Sequence, residues 1–381
     1  AARVQLVAGD PARARREALR AFKSLRGRVR RHHRRADVLW TAEALLLAGE
    51  TKNALRALAR FGGRAKDYDL HLARARAYRA TGKRREALRE LEAAVRFNPA
   101  VPEAAALLAA STDSAGLQRI ADAVGEAWGR LLEAWGTLRR GEVERARALL
   151  DRAQSETGET LAARLLRLRL AALAGEPGLR EAVETLRSTA RHNAAADTSA
   201  GEVLLALGRS EEAADAFEEA LRIDPLSEEA KAGLAEAVAR GAAADPGEAA
   251  RRTEALVADL TRSRAPAPDL GRAAAAAAAA AARAGDRRAT ARLRRLATRV
   301  APDDPRTHFL LGLSYEEAGD PKHALAAYRR ATARRGAPEA FLRMATLPTT
   351  APEAARPWLQ AFLEQVPEHV RAGEARRLLG E

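Results

Sequence analysis

The sequence contains no cysteine and a single methionine. That excludes disulfide frameworks, thiolate zinc sites and cysteine nucleophiles, and it leaves the redox compartment open. Aromatic residues make up 4% of the chain, and no stretch alternates Val, Ile and Thr as a strand does. Long hydrophobic runs are missing as well. The longest, the alanine tract 273–282, covers about half of a membrane span and is only weakly apolar. The opening residues, ARVQLVAGD, do not follow the basic, apolar and small-residue order of a signal peptide. They read as the second half of a helix, so sequence ahead of Ala1, with any targeting signal, is expected to be missing. A soluble chain of the cytoplasm or periplasm is expected.

Catalytic signatures are also lacking. None of GxSxG, HExxH, the P-loop or GxGxxG occurs in a usable setting. The seven histidines are scattered, and most Asp and Glu stand three or four residues from an Arg on helix-like surfaces. His32 and His33 are adjacent rather than four apart and have no carboxylate beside them, which excludes a helical metal pair. No catalytic residue, cofactor or metal is expected, and the chain reads as a non-enzyme.

What the sequence does have is helix-forming residues. About a quarter of it is Ala, with Leu, Arg and Glu supplying much of the rest. At 381 residues it is too long for one globular core, so it must be several domains or a repeat array. Net charge is +14; of 65 basic residues six are Lys and 59 are Arg. The Arg-for-Lys exchange reads as the bias of a GC-rich bacterial genome. The surplus of positive charge is a separate matter, and it suits phosphate or carboxylate partners.

Glycines mark a period. Gly49, Gly82 and Gly116 are 33 and 34 apart; Gly141, Gly175, Gly208 and Gly241 are 34, 33 and 33 apart; Gly285 and Gly319 are 34 apart, and Gly9 opens the series. The residue five places after each mark is Ala in seven of ten cases: 14, 54, 87, 121, 146, 213 and 324. Each unit therefore reads as helix A, a turn closed by a left-handed Gly, and helix B. Two helices cannot bury their apolar stripes alone, so successive units must stack.

The residues within the period resemble the tetratricopeptide repeat. Around Gly82 stand His71, Ala75, Tyr78, Ala87, Leu91, Ala94 and Pro99; around Gly208 stand Gly201, Leu204, Ala213, Phe217, Ala220 and Pro225. Around Gly319 stand Gly312, Tyr315, Ala324, Tyr328 and Ala331, with the proline displaced to Pro338. The units at Gly49 and Gly141 match less well, and those at Gly175, Gly241 and Gly285 keep mainly the period. The resemblance implies an all-α fold: a right-handed α-solenoid of about ten to eleven stacked helix-turn-helix repeats with a C-terminal capping helix. Small residues would let helices A and B approach closely, while aromatics fill the wider space between units.

Two spacings break the rhythm. Gly116 to Gly141 is 25 residues, so a helix there is clipped or shared; Gly241 to Gly285 is 44 and contains Pro266, Pro268 and Gly271. Proline removes a donor and disfavours helix before it. The expected organisation is thus an N-terminal array over 1–261, a Pro-rich break or hinge over 262–271, and a C-terminal array over 272–381. The alanine tract is expected to be a thin helix A packed tightly among its neighbours, with a groove left open for a ligand helix as the other reading. The last residues predict an amphipathic helix with Val370, Ala375, Leu378 and Leu379 on its apolar side.

The resemblance places a peptide groove on the concave face. Trp128, Leu131, Trp135 and Leu138 form one helical stripe that this register aims there, as aromatic anchors or alternatively as core. By the same register Arg76, Arg79, Arg139 and Arg169 line the groove and favour an acidic, partly apolar protein segment. A basic patch holds Lys23, Arg26, Arg28, Arg30, Arg31, Arg34 and Arg35 in thirteen residues. The resulting expectation is a scaffold or adaptor, possible member of a larger complex, that holds a partner segment. The other readings are nucleic-acid binding through the Arg-rich surface, a plain solvated helix end at the patch, and a sensor module of a larger regulator.

Overall fold

The computed structural model describes residues 16–20, 22–23, 35–59, 67–112, 114–333 and 337–381. Among these residues there are 21 named helices and no strand. They fall into ten pairs: α1 (Arg35–Leu47) and α2 (Thr51–Ala59), α3 (Tyr68–Ala80) and α4 (Arg84–Phe97), α5 (Pro102–Ser111) and α6 (Ser114–Val124), α7 (Glu126–Arg139) and α8 (Val143–Thr157), α9 (Leu161–Ala174) and α10 (Leu179–Thr189). Next come α11 (Ala194–Ala206) and α12 (Ser210–Ile223), then α13 (Glu228–Ala237), which runs through a π-helical turn at Val238–Ala242 before α14 (Pro246–Ser263). The series closes with α15 (Ala267–Arg283) and α16 (Arg287–Val300), α17 (Pro305–Glu317) and α18 (Pro321–Thr332), α19 (Glu339–Thr346) and α20 (Pro352–Gln365), and the final helix α21 (Ala372–Leu379).

Local chemistry sets the boundaries. Asp67, Asn193, Ser227, Asp245, Asp286, Asp304 and Asp320 each cap the helix that follows through their side chains. Eight of the ten turn glycines have positive φ. At Gly82 (φ +81°) the amides of Gly82 and Lys83 donate back to the carbonyls of Arg79 and Tyr78, at 2.8 and 2.9 Å, which closes α3. Gly9 lies outside the described residues. Gly116 departs from expectation, because it is the third residue of α6 and the chain turns before it, after Ser111. The 25-residue interval is short because it is counted from inside α6 rather than from a turn, and because α6 has only 11 residues.

Aromatics and glycines interlock as the repeat demands. A Cβ on Gly201 would lie 2.7 Å from the Phe217 ring, and one on Gly233 of the next unit 2.3 Å from it. Phe217 thus fills the gap between successive A helices. Tyr328 sits against Gly312 in the same way and donates its hydroxyl to Glu316 at 2.5 Å.

One buried apolar cluster runs from Leu72 to Leu347. It passes straight through 262–271, where α14 ends at Ser263, Arg264 takes a left-handed conformation (φ 53°) and α15 starts one residue after Pro266. Ala273 to Ala281 are all fully buried, so α15 is the thin, enclosed helix expected. α21 buries Ala372 and Ala375, whereas Val370 and Leu378, expected on its apolar side, stand exposed.

The spiral also touches itself. The turn at Gly175 lies against the carbonyl of Gln365, where a Cβ would come within 2.2 Å of the oxygen. Glu368 accepts from the amides of Gly178 and Leu179 at 2.8 and 3.3 Å, and the Val370 amide donates to the Leu207 carbonyl at 3.0 Å. No helix among the described residues is long and apolar enough to cross a membrane.

Candidate functional site

The A helices face the inside of the spiral, and the polar residues they carry meet there across large sequence separations. Arg76 on α3 donates to both oxygens of Asp224, at 3.1 and 2.5 Å, and Arg79 pairs with Glu228 at the start of α13. Arg139 at the end of α7 reaches Asp269 on α15 at 3.0 Å and Glu229 at 3.5 Å. Arg169 on α9 donates to Glu229 at 2.6 Å and to the Ser199 hydroxyl at 3.0 Å. All four arginines are largely buried. The acidic partners expected from another protein are therefore, in this structure, carboxylates of the chain itself.

Deeper in, Arg272 on α15 bridges Glu236 (2.5 Å) and Glu202 (2.6 Å), and Arg306 on α17 contacts the same two carboxylates. Arg240 joins Glu236 to Glu339. Burial alone would push Glu236 upward, but Arg272, Arg306 and Arg240 outweigh it and hold the carboxyl at about 2. Glu229 is likewise buried, yet Arg169 and Arg139 hold it at about 2. Asp269 goes the other way: burial raises it more than Arg139 lowers it.

These groups surround a cavity of about 160 Å³. Its polar wall includes Arg139, Arg169, Glu202, Glu236, Arg272 and Arg306; its apolar wall includes Leu138, Leu173, Val203, Phe309 and Pro338. A cavity near 150 Å³ holds about one benzene-sized group, so it has room for one or two inserted side chains and not for a helix. Among the described residues no group of three or more His, Asp or Glu is arranged to hold a metal ion.

The tryptophan stripe lies differently from the exposed anchors expected. Trp135 is 2% exposed, with the Arg169 guanidinium 5.1 Å over its ring, and Leu131 and Leu138 are buried beside it. Trp128 is partly buried against the same cluster. The shortened pair α5–α6 brings Leu117 of α6 against α7, where a Cβ on Gly136 would meet it at 2.6 Å, so the stripe is enclosed. Of the basic patch, Lys23 is exposed on a helical stretch and Arg35 begins α1. Arg26, Arg28, Arg30, Arg31 and Arg34 lie outside the described residues. The cavity-lining Glu202, Glu236, Arg272 and Arg306 went unnoticed in sequence, where each reads as one more charged helix residue.

Residues 116–235 match the family of tetratricopeptide repeat-like domains, and residues 305–337 match the tetratricopeptide repeat. No curated protein matches the chain. Chains of solved structures do, among them the crystal structure of the APC/C hetero-tetramer Cut9-Hcn1, at 16% identity and a TM-score of 0.44, over 99% of this chain and 88% of that one. The repeat is thus matched in two separate stretches of the chain, and helix pairs closed by left-handed glycines at Gly49, Gly82 and Gly285 lie outside them.

Proposed function

We propose that this chain is a non-enzymatic protein-interaction scaffold that holds a partner's acidic, partly apolar segment at the inner face of the spiral. The repeat supports an interaction scaffold in general. The observation that carries the finer reading is the cavity, whose walls come from α7, α9, α11, α13, α15 and α17 and combine guanidinium groups, paired with carboxylates of the same wall, with apolar side chains. A segment placing one apolar and one carboxylate side chain there would gain burial and a charge-assisted hydrogen bond together. It would exchange with carboxylates that Arg139, Arg169 and Arg306 already hold.

Selection from a peptide display library tests this. Enriched peptides should combine Asp or Glu with an apolar residue. Leu173→Glu and Arg306→Gln, at half-buried cavity positions, should each weaken their binding about tenfold, roughly 1.4 kcal/mol, with circular dichroism unchanged. Enrichment of basic peptides, or binding indifferent to both substitutions, would overturn the reading.

A further inference from the structure

We infer that the outer face formed by α16, continued by α18, binds the phosphate backbone of nucleic acid without regard to base sequence. This surface is separate from the inner cavity, and it stands whether or not the cavity holds a peptide.

Many arginines of this chain have carboxylate partners: Arg76, Arg79, Arg139, Arg169, Arg240, Arg272 and Arg306 inside, and Arg130, Arg145, Arg147 and Arg167 on the surface. Helix α16 stands out for its one-sided charge. It carries six Arg and no Asp or Glu. Arg287, Arg288, Arg295 and Arg299 are exposed and make no ion pair among the described residues, and Arg292 has only Glu254 at 3.3 Å. Arg294 lies 3.9 Å over the Tyr315 ring, and that ring stacks on His323 at 5.3 Å. This stack ties α16 to α18, where Lys322, Arg329 and Arg330 are exposed and acidic residues are again absent.

The spacing suits a linear polyanion. Arg288, Arg292, Arg295 and Arg299 follow at steps of four, three and four residues, which makes a single stripe with rises of about 6, 4.5 and 6 Å. Alternate phosphates along one strand of a duplex are about 7 Å apart along the axis. The face also lacks what other partners need. Its apolar residues Ala289, Leu293 and Ala297 are buried, and the large exposed apolar side chains among the described residues, Trp40, Phe97, Val370 and Leu378, are elsewhere. A protein partner would want an apolar anchor, and a membrane an apolar side chain to insert. Tyr315 is already covered by Arg294, and the exposed His323 ring stacked on it is held by Asp320, so the surface offers contacts to the phosphate backbone first.

The test is fluorescence anisotropy of a labelled mixed-sequence DNA duplex with the full chain at 50 and 200 mM salt. If four phosphates are neutralised, the fourfold rise in salt should weaken binding by about 150-fold. Changing Arg288, Arg292, Arg295 and Arg299 to Gln together should abolish most of that salt dependence, with the melting curve unchanged because all four are exposed. Replacing the surface-paired Arg145, Arg147, Arg167 and Arg180 by Gln should leave binding as it was. The inference is overturned if no duplex binds at 50 mM salt, or if the α16 variant binds with the same salt slope. It is also overturned if phosphatidylserine vesicles or poly-glutamate are retained better than DNA at equal charge.

Discussion

Arg272 is buried to 6% exposure and held between Glu202 and Glu236, while Arg306 touches the same two carboxylates from the next unit. A charge so enclosed stabilises only with its partners in place. Removing one member of such a set leaves uncompensated charge behind and costs about 3–5 kcal/mol. Arg272→Met is therefore expected to lower the unfolding free energy by that amount, read in urea as a lower midpoint with the slope unchanged. Titration acts on the same cluster from the other side. Glu229 and Glu236 have folded values near 2, below the ordinary 4.5, so their contribution is complete above about pH 4.5 and is lost as pH falls toward 2. Asp269, raised by burial, works in the opposite sense and favours the fold once protonated. With Glu202 and Glu339 also depressed by the arginines around them, four lowered carboxyls stand against raised Asp269, so melting temperature should fall between pH 4.5 and 2, and Asp269→Asn should leave that fall in place. Trp135 belongs to this scale too. Being buried, Trp135→Ala should cost about 3–5 kcal/mol of stability rather than spare the fold, as an exposed anchor would.

At the scale of the helix, one small side chain repeated nine times does what a mixed core does elsewhere. Ala273 to Ala281 are fully buried on every side of α15, which lets α13, α14, α16 and α17 close around a single narrow rod. Alanine adds no rotamer entropy to be lost on burial, and the packing leaves no room for growth. Ala277→Leu should destabilise by about 1–3 kcal/mol through overpacking, and a value near zero would mean α15 has slack. This enclosure was legible in the sequence, as were the turn glycines at 49, 82, 141, 175, 208, 241, 285 and 319, because each obeys a local rule of backbone or volume. Gly116 misled because a glycine on the period is not by itself a turn. The break between α5 and α6 falls at Ser111–Thr112, where no glycine stands, and nothing local announces that both helices are short.

At the scale of the whole molecule, the ion pairs Arg76–Asp224, Arg79–Glu228 and Arg139–Asp269 join residues 148, 149 and 130 positions apart. Sequence could place those arginines on the inner face but could not pair them. The pairing depends on the small rotation between each unit and the next, summed over four units or more, and no local pattern encodes the sum. The same closure brings the carbonyl of Gln365 onto the turn at Gly175 and Glu368 onto the start of α10. Each such contact replaces a place where a partner could lie, so the degree of closure governs how much inner face is on offer. Arg76 and Arg79 are the residues that hold α3 to the start of α13. Their side chains are 14% and 12% exposed, so salt should screen them far less than surface charges. Changing both to Gln should loosen that contact without unfolding the paired helices α3 and α4. Amide exchange should then rise at residues 224–228, and the radius of gyration should increase from the neighbourhood of the ~21 Å expected for a compact chain of this length. Both changes should persist in 0.5 M salt, about threefold the physiological ionic strength. Were the wild-type chain to expand in that salt to match the variant, the pairs would be solvent-screened surface contacts and the closure would rest on apolar packing alone.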